Sequence, residues 1–154
     1  MRTNVIMALV IALMGTVGLG CSDQGPARMH YGDDQCDYCK MNIVDPAFGS
    51  QLVSDKGKVF KFDSIECLAA YEQTHKSLQT GSTRWLADIN QPGSFVEGRK
   101  AFIVSGHTLR SPMGLGLAAT SRLEDGRQLA TETNGRVLSW QEVRDYVAEA
   151  WNVR

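Results

Sequence analysis

Cys36-Asp-Tyr-Cys39-Lys-Met41 packs two thiols and a thioether into one short stretch of the chain. Thiolate and thioether sulfurs are soft donors, and as a set they favour Cu(I) over harder ions. Cys39 and Met41 are separated by one residue, so in an extended segment their side chains fall on the same face. In that arrangement Cys39 supplies the charge that neutralises the ion, Met41 adds a weak and exchangeable bond, and Cys36 assists or guards the site. On its own Met41 would read as a gap-filling core methionine; beside two thiols it reads as a ligand.

Other chemistries of a Cys-x-x-Cys pair fit less well. Haem attachment needs a histidine directly after the second cysteine, where Lys40 stands. A structural zinc site needs two more Cys or His at suitable spacing, and Cys67, His30, His75 and His107 form no second close pair. A thioredoxin-like dithiol opens a helix after a strand, whereas Ile43-Val-Asp-Pro46 follows here. Redox use stays open because exported proteins meet an oxidising compartment. Cys67, in Glu66-Cys-Leu-Ala69, reads as a buried small hydrophobe unless the fold brings it to Cys39. Met113, in Ser111-Pro-Met-Gly-Leu-Gly116, is either a ligand or a packing residue. Gly114 and Gly116 let the backbone bend there, which makes Met113 a candidate to face Met41 across a lobe interface. His30, beside Met29, is placed to assist capture, while His75 reads as a helix-end residue and His107 as a turn residue. Ser105, Ser111 and Ser139 lack a nucleophile-elbow setting, so no hydrolase is read.

The chain of 154 residues opens with Arg2 and an apolar run from Val5 to Met14, followed by the small residues up to Gly20. That pattern predicts a secretory signal over residues 1–20, too short to serve as a permanent membrane span. Leu19-Gly20-Cys21 resembles the end of a bacterial lipobox, so Cys21 is the expected lipid attachment site, although Gly18 stands where Leu is usual. In lipoproteins of this type an Asp after the cysteine holds the protein at the inner membrane, so Ser22 favours the outer one. Residues 21–35 read as a lipidated, polar tether facing the periplasm. A net charge of −1 without a dense basic run excludes nucleic-acid binding. Beyond the anchor three cysteines remain, an odd count that does not describe a disulfide scaffold.

The elements that must position these sulfurs follow from local patterning. Phe48–Ser54 and Lys58–Phe62 read as a hairpin turning at Asp55-Lys-Gly57. Asp63-x-x-Glu66 matches a capping box for a helix fading near His75 to Gln79, and Arg84–Ile89 reads as a third strand. Residues 36–92 are therefore expected to form one ββαβ lobe carrying the sulfur motif. Residues 93–154 are expected to form a second, similar lobe, with strands at Ala101–Ser105 and Leu117–Leu123 and the junction at Pro92-Gly93-Ser94. Gly57-Lys-Val-Phe-Lys-Phe62 matches Gly135-Arg-Val-Leu-Ser-Trp140, and each is followed by a helix; the later one has its apolar residues at helical spacing and is capped by Ser139-x-x-Glu142. The fold class expected is α+β, two similar ββαβ lobes packed together by internal duplication.

Cys36-Asp-Tyr-Cys39-Lys-Met41-Asn-Ile43, with Gly57 to Phe62-Asp63 and Pro112-Met113-Gly114, resembles the NosL family, accessory lipoproteins of nitrous oxide reductase assembly. The resemblance spans roughly residues 30 to 150. It implies a Cu(I)-binding metallochaperone that delivers copper toward the copper-sulfide centre of the nitrous oxide reductase apoprotein. It further implies partnership with the ABC transporter complex of the same assembly system. The family's metal motif carries onto Cys39 and Met41. A thiol-disulfide oxidoreductase keeping a copper apo-site reduced is the competing reading, and a metal-free adaptor is the third.

Overall fold

Ser50–Val53 (β1) and Val59–Phe62 (β2) pair antiparallel through a tight turn in which Gly57 adopts a φ of +78°. That left-handed conformation is natural to glycine. Ser54 closes the turn, donating its N–H to the Lys58 carbonyl (2.8 Å) and accepting from the Lys58 N–H on its hydroxyl (3.0 Å). The computed structural model describes residues 25–153. The expected signal, the lipid attachment site at Cys21 and residues 22–24 of the expected tether lie outside these.

The polypeptide continues through α1 (Ile65–Thr74), a single 3-10 turn at Lys76–Leu78, β3 (Thr83–Ala87) and β4 (Phe95–Glu97). The second half contributes β5 (Phe102–Ser105), β6 (Leu117–Thr120), α2 (Leu123–Glu132), β7 (Arg136–Leu138) and α3 (Trp140–Trp151). The class is α+β, with two antiparallel sheets ordered β2-β1-β3-β4 and β6-β5-β7. Each half places its first strand between its second and third and inserts a helix between the second and third. The halves are stitched where Asp88 bridges Ala119 in parallel and the Ile89 N–H donates to the Ala119 carbonyl (2.9 Å).

Three expectations change. The Pro92–Ser94 segment is a turn inside the first sheet, because Phe95–Glu97 pairs with β3; the first lobe therefore runs to residue 97. The equivalence between halves relates Val59 to Leu117 and Ile65 to Leu123, so β2 corresponds to β6. The match of 57–62 with 135–140 links β2 to β7, a strand on the other side of its sheet. Helix α2 replaces the end of the strand expected up to Leu123. Gly126 in its middle hid it, yet Glu124 and Asp125 in the first turn are a helix-start signal. A Cβ there would be tightly packed, 3.1 Å from the Thr120 hydroxyl and 3.2 Å from the Phe102 Cβ.

The expected tether also ends early. Ala27 donates its N–H to the Gln51 side chain (2.9 Å) and accepts from it (2.8 Å), and Met29 is buried in the core. This pairing explains how Gln51 is tolerated fully buried in β1, since a buried amide must find both partners.

Helix α1 is capped by Ser64, whose hydroxyl accepts from the Cys67 N–H (3.3 Å), one residue later than the Asp63 expected. Helix α3 shows the expected box: the Ser139 hydroxyl accepts from the Glu142 N–H and the Glu142 carboxylate accepts from the Ser139 N–H. Replacing Ser139 with alanine should cost about 1 kcal/mol in urea unfolding. The Ser139 backbone and hydroxyl bonds, then Arg136, hold the Glu142 carboxyl down to about 2. Its folded value lies below its ordinary one, so the contribution is full above that ordinary value and disappears as pH falls through about 2. An acid series should show the gap between wild type and Glu142→Ala closing over that range.

Candidate metal centre

The sulfur motif forms a tight hairpin. Gln35 bridges Asn42, the Cys36 N–H donates to the Met41 carbonyl (2.8 Å), and the Lys40 N–H donates to the Cys36 carbonyl (3.0 Å). Closing so short a loop drives Lys40 to a φ of +66°, a left-handed conformation that costs a non-glycine residue. The Lys40 ammonium donates to the Asp37 carbonyl (2.6 Å) within the same loop. The hairpin docks on the free edge of β2, where the Asp37 N–H donates to the Lys61 carbonyl and the Lys61 N–H to the Asp37 carboxylate, both at 2.8 Å.

That docking has a chemical result. Strand β2 ends at Phe62, Asp63 follows, and Cys67 lies in the first turn of α1, directly beside the docked loop. One ligand atom from each of Cys36, Cys39, Asp63 and Cys67 lies within 4.8 Å of all the others. Metal–sulfur bonds of about 2.3 Å set donors about 3.8 Å apart in a tetrahedron, so a small contraction would close a shell. Cys36 and Cys67 are completely buried, Asp63 is buried, and Cys39 is partly open. The Cys39 thiol donates to Asp63 Oδ2 (3.5 Å), while Asp63 Oδ1, also buried, has no hydrogen-bond partner. An orphaned carboxylate oxygen among thiols fits a cation, because otherwise its desolvation goes uncompensated.

The thiols are unequal. The hydrogen bond from Cys67, aided by backbone bonds, draws the Cys36 thiol down to about 6 against the opposing effect of burial. Burial first, then Cys36 and Asp63, pushes Cys39 up to about 11. Cys67 is pushed up by the same bond to Cys36, then by burial and Asp63. Cys36 is therefore the thiol most readily held as a thiolate, and thiol ligands that are still protonated must release their protons as an ion enters. The helix dipole at the start of α1 favours that negative charge.

The expected site residues separate. Cys36 and Cys39 join the cluster. Met41, whose carbonyl accepts from the Cys36 N–H, is 50% exposed. The same-face argument for Cys39 and Met41 does not hold, because Lys40 between them is left-handed rather than extended. Met113 is half-buried against the core. Its loop is tied down where the Ser111 hydroxyl donates to the carboxylate of Glu66, the residue before Cys67. Among the described residues no histidine joins the cluster: His30 faces Asp34, His75 stacks on Tyr71, and His107 is exposed. Asp63 is the member that sequence reasoning missed, while Cys67 meets the condition set for it, because the fold brings it to Cys39. Recognising Ser64 as the cap would have placed both at the amide-rich start of a helix.

Three thiols and a carboxylate would also satisfy tetrahedral Zn(II), so donor count alone does not select the metal. Among the described residues no helix is long and apolar enough to cross a membrane.

A family model described as NosL matches residues 27–148. The copper-binding lipoprotein NosL of Stutzerimonas stutzeri is 29% identical over an alignment of 153 residues, covering 90% of this chain and 78% of that protein. The crystal structure of the copper chaperone NosL from Shewanella denitrificans matches with a TM-score of 0.63 at 19% identity. It covers 76% of this chain and 96% of that one, a likeness of fold.

Proposed function

The chain belongs to the NosL family, and from that premise we propose that it is a copper carrier rather than an enzyme, taking Cu(I) as cargo at the Cys36, Cys39, Asp63 and Cys67 cluster. The observation that carries this reading is the convergence within 4.8 Å of three thiols and a carboxylate with one orphaned oxygen, open to solvent only at Cys39. Cys36, the most acidic of the three thiols, takes the incoming ion first. Cys39, at the open side, and Cys67, at the buried side, enclose it as their protons leave. Met41, exposed on the same hairpin, supplies a weak thioether bond that an acceptor's donor displaces, and Met113 completes the set from its own loop.

In this reading Cys21 carries the lipid that holds the protein on the periplasmic side of a bacterial membrane, the outer one in preference. The cargo is destined for the copper-sulfide centre of the nitrous oxide reductase apoprotein, with the ABC transporter complex of that assembly system as a second partner. The names of the related proteins support the copper part of this reading.

The test is an anaerobic titration of the fully reduced protein with Cu(I) against a chromophoric chelator. Stoichiometric uptake is expected, lost in Cys39→Ser and weakened about tenfold in Met41→Ala, or about 1.4 kcal/mol. Equal uptake by wild type and Cys39→Ser would sink the reading. The oxidoreductase alternative draws support from the low-lying Cys36 thiol beside two further thiols. Against it, the Cys-x-x-Cys loop is a hairpin and opens no helix. Catalytic disulfide reduction indifferent to Met41→Ala would favour it instead.

A further inference from the structure

Helix α3 packs against α1 and is tied to its last turn. At its start the Trp140 indole donates to the Glu72 carboxylate (3.0 Å), and further along Gln73 donates to the Arg144 carbonyl (2.7 Å). The Tyr146 hydroxyl donates to the Leu115 carbonyl (3.2 Å), fastening the loop that carries Met113. The far end of α3 reaches the sulfur hairpin of the thiol cluster. There Trp151, its last residue, stacks on Tyr38 with ring centroids 6.0 Å apart and planes 9° from parallel. Tyr38 sits between Cys36 and Cys39.

The sulfur hairpin is thus held from two directions. One side is pinned to β2 by the two Asp37–Lys61 hydrogen bonds. The other is covered by an indole from a helix of the second lobe. The β2 bonds fix the base of the loop, but they do not press its tip toward Cys67. The aromatic stack acts on the tip, because Tyr38 lies within the Cys-x-x-Cys turn itself.

We propose that Trp151 is a positioning residue for the metal centre: stacked on Tyr38, it holds the Cys36–Cys39 loop closed over Cys67 and limits how fast a bound soft cation escapes. The part concerning the cation rests on the copper-carrier reading; the part concerning loop closure stands on the stack alone. Offset aromatic pairs make a modest contribution, so removing this one should raise the open population by about two- to tenfold.

Two readouts test this on the full chain. The first is the rate at which the Cu(I)-loaded protein yields its ion to a chelator in excess. The second is metal-free, the peptide-resolved rate of alkylation of Cys36 and Cys39 by iodoacetamide. Trp151→Ala is expected to speed both by about two- to tenfold, and Trp151→Phe to restore them to near the wild-type rates. Tyr38→Leu removes the same stack from its other side and should behave like Trp151→Ala. Trp140→Phe loosens the opposite end of α3, so it should lower the melting temperature and leave both rates unchanged. The proposal fails if Trp151→Ala and Tyr38→Leu react at the wild-type rate. It fails equally if Trp140→Phe accelerates the loop as much as they do. A wild-type protein that takes up no Cu(I) overturns the carrier reading and the cation part, while the alkylation rates still decide loop closure.

Discussion

Replacing Cys67 with serine is expected to remove tight Cu(I) uptake, with apparent affinity falling at least about 100-fold, or about 2.8 kcal/mol. A serine hydroxyl stays protonated near neutral pH and is a hard donor, so it replaces a soft thiolate with a group the ion does not prefer. The serine O–H can still donate toward Cys36, so the loss reports the missing soft donor itself. Chelator competition on the reduced variant measures this, with circular dichroism to show that the chain is folded. The opposite pattern, unchanged affinity with a lowered melting temperature, would return Cys67 to a purely packing role.

The largest expected stability effect lies at the opposite end of α1. Glu72 is completely buried and meets Arg84 from β3: the guanidinium Nη2 donates to Oε2 (3.0 Å) and Nε lies 2.8 Å from Oε1, an ionic contact rather than an aligned hydrogen bond. The Trp140 indole donates to the same carboxylate, and the Arg84 guanidinium lies 4.8 Å from the centre of the Trp140 ring. One carboxylate therefore joins a helix and a strand of the first lobe to the first residue of α3. Glu72→Ala leaves a largely buried guanidinium and an indole N–H without their acceptor, which should cost about 3 kcal/mol. That is a large share of the total stability of a domain this size, on the order of 5–15 kcal/mol. Glu72→Gln keeps an acceptor for the indole and should lose less. Urea unfolding checks both. A shift below about 1 kcal/mol for Glu72→Ala would mean that Arg84 swings out to water and pairs there.

The two predictions differ in what they ask of the fold. The first concerns a site made by docking a short hairpin on the edge of β2, and the second the clamp that keeps α3 against α1. Because α3 also delivers Trp151 to the sulfur loop, a defect at Glu72 strong enough to free the helix would reach the metal centre indirectly. This is why Trp140→Phe, which loses one hydrogen bond of the clamp and leaves the ion pair, is the useful control.

What could be read from residues alone was whatever depends on neighbours along the chain. The β1–β2 hairpin follows from two apolar runs around Asp55-Lys-Gly57, and α3 from its Ser139 cap and helical spacing, since their hydrogen bonds close over a few residues. The soft-donor character of Cys36, Cys39 and Met41 is likewise a property of side chains already adjacent. Only tertiary structure decided that Asp63 and Cys67 share a cluster with those thiols and that Met41 is exposed. It also decided that β4 belongs to the first sheet and that β2 corresponds to β6. Those outcomes depend on which strand edge a segment finds and on a left-handed turn at Lys40. Both are set by contacts between distant segments, so they leave little trace in local spacing.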